Sequence, residues 1–211
     1  PRELYFPTRE VAFDPTGGLR SPVTLPEGLT YTVVSDVPYR DRSLLRTAPT
    51  TYPAEITRTY LQVPESIKTK VRQQAEALLA SANRPITEPY EQALFLAQAL
   101  KQKYALQFEI PPLGKDEDLV EAFLFRFAGG YPDHFSTVLT IMLRSLGIPA
   151  RLVTGLDAGE FNPFTGLYIV KNTDAYALTE VYFPAFGWFA FDPIPGHPLV
   201  PPSVEVDQTF T

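Results

Sequence analysis

The clearest regular pattern of apolar positions in the chain begins at Pro132. From there apolar residues recur at spacings of three and four, which places them on one face of a helix. These positions are Phe135, Val138, Leu139, Met142, Leu143 and Leu146. Proline suits the first turn of a helix, and Gly147 suits its end. The pattern therefore predicts a helix over 132–146 with one buried face.

Two earlier segments show the same helical spacing. The first follows Pro64, with apolar residues at Ile67, Val71, Ala75, Leu78 and Leu79. The second covers 87–103, with Tyr90, Leu94, Ala97 and Leu100 on one stripe. A third, shorter apolar helix is predicted over 118–127. Gly129-Gly130 follows it and ends the helical pattern.

Strands are predicted where apolar and polar residues alternate. Tyr104, Leu106, Phe108 and Ile110 alternate until Pro111-Pro112 ends the run. Further β-type segments are 150–154, 167–171, 177–183 and 187–191. A helix followed by such strands indicates an α+β fold, with the helix packed against an antiparallel sheet.

Composition shifts along the chain suggest three parts. Residues 1–56 are rich in Pro, Gly and Thr with short β-leaning runs, and we interpret them as a β-rich extension. The helical and strand patterns define a main domain over 57–198. The proline-rich residues 199–211 are interpreted as an exit or linker.

Composition also narrows the functions that this fold can serve. The chain has 211 residues, a formal net charge of −6 and no cysteine. Without a basic patch we expect no nucleic-acid partner. The lack of cysteine excludes disulfides, thiolate zinc sites and a cysteine nucleophile. The two histidines, His134 and His197, do not suffice for a strong zinc site, so we expect neither a metal nor a cofactor.

Four ordered segments between Phe123 and Pro193 carry a recognisable pattern. They read FLFRFAGGYPDH, GIPAR, GEFNP and TDAYALTEVYFPAFGWFAFDP. Their order resembles the transglutaminase-like family, and in particular the extracytoplasmic domains of bacterial multi-pass membrane proteins. The resemblance extends over about 58–197. It implies a papain-like core.

The family's chemistry, as the resemblance implies it, needs a cysteine at the helix start, a histidine on one strand and an aspartate on the next. In this chain those positions hold Pro132, Tyr176 and Asp192. Proline has no nucleophile, and a phenol that titrates at about pH 10 cannot shuttle protons near neutrality. We therefore expect a pseudoenzyme of the cysteine protease type, without thiol-dependent acyl transfer or proteolysis.

The residues around these positions form a candidate binding cleft, namely Tyr131, Asp133, His134, Tyr176 and Asp192. We expect a structural or capping role for His134, and a hydrogen bond from Tyr176 to Asp192 if their strands pair. The alternative is a hydrolase with a non-cysteine catalytic centre around His134 and Asp192. Ser136 and Thr137 are then candidate nucleophiles, although both fit ordinary helix positions.

The resemblance implies a binding or scaffolding module on the outer, extracytoplasmic face of a bacterial membrane. Its expected partners are a peptide or cell-wall-like ligand and the rest of a parent membrane protein. Because the first residue is Pro1 and not Met, we expect the chain to be a segment of a longer protein. A purely structural role in assembly, with residues 1–56 packing on neighbouring domains, stays open as a third hypothesis.

Overall fold

The computed structural model describes residues 3–5, 11–13, 19–34, 41–157 and 159–200, which form two compact units. The smaller unit is Pro1–Tyr39. Its strands are β1 (Glu3–Tyr5), β2 (Ala12–Phe13), β3 (Leu19–Arg20) and β4 (Thr32–Val34). Strand β1 pairs with β4 and β2 pairs with β3, both antiparallel. The short β-leaning runs thus form strands.

The larger unit, Arg40–Thr211, begins with two short helices that the apolar pattern did not predict. They are α1 (Arg42–Arg46) and α2 (Ala54–Tyr60). Leu45 of α1 is buried in the hydrophobic core of this unit. The compact units therefore divide before α1, whereas the sequence places the domain boundary after residue 56, inside α2.

Four further α-helices and one π-helix follow. They are α3 (Glu65–Ala80), α4 (Pro89–Lys103), α5 (Leu119–Glu121), a π-helix (Ala122–Phe127) and α6 (Pro132–Ser145). The long helices confirm the predicted ones within a few residues. The predicted helix at 118–127 is instead one α-turn, begun by Asp118, that widens into the π-helix. Among the described helices, none has both the length and the apolar character to cross a membrane.

A two-residue parallel pair, β5 (Ala105–Leu106) with β6 (Gly129–Gly130), sets where α6 begins. The predicted strand over 104–110 is therefore wrong beyond Leu106. Its partner offers only two residues before α6 starts, so Phe108 stays exposed. The connection from the π-helix to β6 passes through Ala128 in the left-handed conformation, φ 51°, and Gly129 at φ 152°.

The main sheet has three antiparallel strands in the order β11-β10-β7. In chain order the strands after α6 are β7 (Ala150–Leu156), β8 (Glu160–Asn162), β9 (Leu167–Ile169), β10 (Ala175–Phe183) and β11 (Gly187–Phe191). Three of the four predicted strands form this sheet. The fourth, at 167–171, is β9, which pairs only with β8 in a separate hairpin.

The core of the larger unit lies between α6 and the sheet. The apolar face of α6 is fully buried at Phe135, Val138, Leu139, Met142 and Leu143. Each such side chain contributes about 1.5–3 kcal/mol relative to an exposed one. Tyr90 of α4 meets Phe183, Phe189 and Phe191 from the sheet at ring distances of 5.7–6.1 Å. The α+β prediction, a helix packed on an antiparallel sheet, is confirmed.

The end of the described chain also packs on this core. Leu199 and Val200 are partly buried against it, and the Asp192 N–H donates to the Leu199 carbonyl at 2.9 Å. The remaining residues of the predicted exit, 201–211, lie outside the described residues.

We predict that Gly129→Ala destabilises the larger unit far more than Gly147→Ala. Both glycines have positive φ, but a Cβ at Gly129 would overlap the Ala105 carbonyl, whereas one at Gly147 meets nothing within 4 Å. Urea unfolding should give a loss of about 3 kcal/mol or more for Gly129→Ala and about 1 kcal/mol for Gly147→Ala. Equal losses would show that the β5–β6 contact does not constrain the helix start.

Candidate functional site

The start of α6 is shaped by Pro132, by His134 and by the two residues that precede the helix. Tyr131 is the N-cap and Pro132 is the first helical residue. The Tyr131 N–H donates to Nδ1 of His134 at 3.3 Å, and the two rings meet edge to face with centroids 5.1 Å apart. A Cβ at Gly130 would lie 2.6 Å from the same Nδ1, so only glycine leaves room for the imidazole. His134 therefore caps the helix.

Buried hydroxyl groups fix α6 against β10. Ser136 Oγ donates to the Ala177 carbonyl at 2.8 Å, and Thr179 Oγ1 donates to the Ser136 carbonyl at 2.8 Å. Thr140 Oγ1 donates to the same Ser136 carbonyl, also at 2.8 Å. Because Ser136 lies one turn after Pro132 and bonds to the residue after Tyr176, the beginnings of α6 and β10 lie side by side.

Neither candidate hydroxyl nucleophile has the environment of one. Ser136 is fully buried and its hydroxyl is used in the contact with Ala177. Thr137 Oγ1 donates to the Asp133 carbonyl at 3.0 Å, one turn back in its own helix. Both residues serve the helix and its packing, and the Nδ1 of His134 is engaged by the Tyr131 N–H.

Tyr176 is the second residue of β10 and lies opposite Gly155 of β7. Burial raises the pKa of its phenol above the ordinary value, and the negative charges of Asp157 and Asp192 raise the pKa further. The phenol is therefore neutral at physiological pH, where it can donate or accept one hydrogen bond.

Asp192 follows β11 and is almost completely buried. Its Oδ1 accepts the Ile194 N–H at 2.8 Å, and its Oδ2 lies 2.9 Å from Nδ1 of His197. Asp192 and Tyr176, both described, share no hydrogen bond, so the expected contact between them is wrong. The reason is local. The segment after Asp192 turns back, and its groups bond to both oxygens of the carboxylate.

Lys101 of α4 holds that returning segment in place. Its Nζ donates to the carbonyls of Ile194 and His197 at 2.7 and 2.6 Å. Burial lowers the pKa of Lys101, and the nearby charge of Asp192 partly offsets the effect. An ammonium group, two carbonyls, a carboxylate and an imidazole thus form one connected cluster.

The contact of His197 with Asp192 was not predicted from the sequence, where His197 was considered only as a possible zinc ligand. One signal pointed to it. The stretch Asp192 to His197 reads DPIPGH, and closely spaced proline and glycine residues favour a tight turn. The structure has that turn, with Gly196 at φ 89° and the His197 N–H donating to the Ile194 carbonyl at 3.2 Å.

The structure therefore brings part of the predicted cleft together. Tyr131, Pro132 and His134 are half-buried at the helix start, with half-buried Tyr176 on the adjacent strand. Asp133 is exposed, and Asp192 lies beneath its own following segment. Among the described residues, no group of three or more His, Cys, Asp or Glu side chains is placed to hold a metal ion.

The N-terminus of α6 lies beside β10, the central strand of the antiparallel sheet. This arrangement is that of a papain-like α+β domain. Residues 76–193, more than half of the chain, match the family described as the Transglutaminase-like superfamily. The chain belongs to this superfamily. The resemblance inferred from the motifs is thereby confirmed.

Two relatives and one solved structure illustrate the relationship. The chain is 36% identical over 141 residues to the uncharacterized protein YebA of Bacillus subtilis (strain 168), covering 65% of this chain and 19% of that protein. It is 32% identical over 111 residues to a protein-glutamine gamma-glutamyltransferase of Pseudomonas aeruginosa, covering 51% of this chain and 17% of that protein. The crystal structure of the periplasmic domain of TgpA from Pseudomonas aeruginosa matches with a TM-score of 0.56 and 29% identity, over 68% of this chain and 48% of that one. The chain spans about a fifth of the length of these relatives, or less.

We predict that the Tyr176 phenol titrates above about pH 10, the ordinary value for tyrosine. Because the folded chain then holds this proton more tightly than the unfolded chain, the contribution to stability is intact below about pH 10 and is lost as pH rises through the folded pKa. NMR of chains carrying 13Cζ-labelled tyrosine, with Tyr176→Phe for assignment, would follow this group.

Asp192→Asn and Asp157→Asn serve as companion variants in that titration. Each removes a negative charge and should lower the Tyr176 midpoint, which stays above about pH 10 because burial is the largest cause. A midpoint at or below that value in the unmodified chain would contradict the inferred environment.

Proposed function

We propose that this chain is a transglutaminase-like domain without thiol catalysis, and that it serves as a binding or scaffolding module. One observation carries the proposal. Pro132 occupies the first position of α6, which is where the resemblance puts the family's cysteine. Proline fits the first turn because the N–H that it lacks has no partner within the helix, so the helix start is kept without a nucleophile.

The group at the family's histidine position supports the same proposal. Tyr176 lies at the start of β10, and burial together with two nearby carboxylates keeps its phenol protonated. A general base must exchange its proton near the working pH, which this phenol does not do. Two of the family's three catalytic positions thus hold side chains unsuited to acyl transfer. The helix and the strands that carry these positions are present.

The surface left at the helix start suits an extended peptide or an amide-containing cell-wall fragment. Half-buried Tyr131 and Tyr176 offer ring faces for stacking and phenols that can bond amide groups. The N-terminus of α6 adds a favourable dipole for a carbonyl or carboxylate. The Pseudomonas aeruginosa relative, by its name, acts on protein glutamine, which is a side-chain amide.

The relatives also support a setting for the module. The similar TgpA structure is a periplasmic domain, and the chain matches a small part of much longer proteins. We therefore place the chain on the extracytoplasmic side of a bacterial membrane, as a domain of a larger membrane protein. The rest of that protein is its proposed permanent partner.

A second candidate function is a hydrolase with a non-cysteine centre, and the Asp192–His197 contact favours it. Because a carboxylate can only accept hydrogen bonds, Nδ1 of His197 is the donor in its contact with Asp192. The other ring nitrogen, Nε2, is then available to act as a base. The His197 side chain is 47% exposed, so water can reach it. Against this candidate, no described hydroxyl group bonds to the His197 ring, and Ser136 is buried in another contact.

We predict that the purified chain transfers no acyl group from a glutamine-containing peptide to a primary amine and does not hydrolyse that peptide. Mass spectrometry of the peptide would detect either product. Product that Tyr176→Phe leaves unchanged and His197→Ala abolishes would instead establish the hydrolase.

The same peptide, and a peptidoglycan stem-peptide fragment, would be titrated by NMR to test binding. Tyr131→Ala and Tyr176→Ala should each weaken binding, since both remove a stacking surface at the helix start. Tyr168→Ala is the matched control, because it removes an exposed tyrosine from the separate hairpin. Absence of binding to both ligands would leave only the scaffolding form of the proposal.

We also predict that Pro132→Cys creates a thiol of raised reactivity. A helix N-terminus favours the thiolate, so iodoacetamide at neutral pH should modify this cysteine about tenfold faster than one placed by Thr137→Cys. Both positions are half-buried and lie on the same helix. Because the natural chain has no cysteine, each variant reports on a single thiol. Equal rates would count against Pro132 as the former nucleophile position.

A further inference from the structure

The β8–β9 hairpin exposes a run of apolar side chains. The ten residues 161–170, from the second residue of β8 to the residue after β9, carry no charge, in a protein in which 20% of residues are charged. Exposed large apolar side chains in this segment are Phe161, Phe164, Leu167, Tyr168, Ile169 and Val170. An exposed apolar concentration of this kind marks an interaction surface.

The tip of the hairpin is built to present Phe164. The Asn162 carboxamide Oδ1 accepts the Phe164 N–H at 2.9 Å, and the Gly166 N–H donates to the Asn162 carbonyl at 2.9 Å. Gly166 provides the positive φ of 69° that closes the turn. Phe164, at 96% exposure, is the most exposed large apolar side chain among the described residues. The turn is held by its own hydrogen bonds and leaves this ring in solvent.

Apolar side chains lie on both faces of the hairpin. Phe161 and Tyr168 lie directly opposite each other on one face, with ring centroids 5.2 Å apart. Leu167 and Ile169 point to the other face, because side chains alternate along a strand, and the positions opposite them are the two polar residues of β8. A protein partner docked on one side would leave the apolar side chains of the other face in water. A surrounding apolar medium would cover the apolar side chains of both faces.

Charge is restricted to the base of the hairpin. Glu160 and Lys171 flank the uncharged segment and form an ion pair at 3.5 Å. The Lys171 N–H donates to a carboxylate oxygen of Asp174 at 2.7 Å, and the Asp157 N–H donates to the Asp174 carbonyl at 2.9 Å. Polarity therefore rises from tip to base. That gradient complements a lipid bilayer, in which an apolar interior is bounded by charged headgroups and water.

We propose that the β8–β9 hairpin inserts its tip into the surface of a lipid bilayer, with Phe164 deepest and the Glu160–Lys171 pair at the headgroup level. The proposal concerns the residues of the hairpin, which do not include those of the candidate cleft, and its test does not depend on what Pro132 and Tyr176 do. Insertion by apolar side chains needs no anionic lipid, which suits a chain with a net charge of −6.

The test uses the whole chain with phosphatidylcholine vesicles. Phe164→Trp places a fluorophore at the tip, and the unmodified chain with its one tryptophan gives the background. We expect the Phe164→Trp emission to shift to the blue when vesicles are added, and a matched Phe108→Trp variant to stay unchanged. Phe108 is a suitable control because it is 69% exposed and lies outside the hairpin.

Vesicle flotation gives the second measurement. Phe164→Ser should reduce the lipid-bound fraction about tenfold, as expected for losing one buried aromatic side chain, while Phe108→Ser should not. Binding should survive about 1 M salt, where charge interactions are screened within about 3 Å. The proposal is overturned if Phe164→Trp shows no shift, if both serine variants lose binding equally, or if salt abolishes binding. Lipid-free dimerisation that Phe164→Ser abolishes would also overturn it, by assigning the hairpin to a second copy of the chain.

Discussion

The contact between α6 and β10 is the constraint on which the larger unit depends. The apolar face of α6 is buried against the sheet, while hydrogen bonds from Ser136 and Thr179 fix its position along β10. Burial alone is non-directional and would tolerate sliding of the helix along the strand. The buried hydroxyl contacts restrict that freedom, because a shift would leave polar atoms without partners. They thereby hold the start of α6 beside the start of β10.

The parts of the fold that were predictable are those in which local pattern and packing agree. The face of α6 repeats over four turns, and the structure buries it as predicted. The prediction of a strand over 104–110 was wrong because the alternation of apolar and polar residues indicates which side chains could face a core. It does not indicate how long the partner strand is. Its partner, Gly129–Gly130, has two residues. The hairpin strand at 167–169 had strand-like residues, but nothing local indicated that β8 would be its only neighbour.

Only part of the candidate site was predictable. A structural or capping role for His134 was expected from the family resemblance, and the hydrogen bond from the Tyr131 N–H agrees with it. The surroundings of Asp192 did not follow, because they depend on a turn of six residues and on Lys101, which is 91 positions earlier in the chain. Long-range contacts of that kind leave no periodic trace in the sequence. The identities at 132 and 176 acquired meaning only through the family resemblance.

The cluster around Asp192 has a consequence for protein engineering. Both oxygens of this carboxylate already bond to the segment that follows it, and Lys101 anchors that segment. A histidine introduced at position 176 would have to compete with His197 for the same acceptor. Placing a cysteine at position 132 and a histidine at position 176 would therefore supply the residue types of a catalytic triad without the geometry. A design of that kind would also have to remodel the turn that follows Asp192.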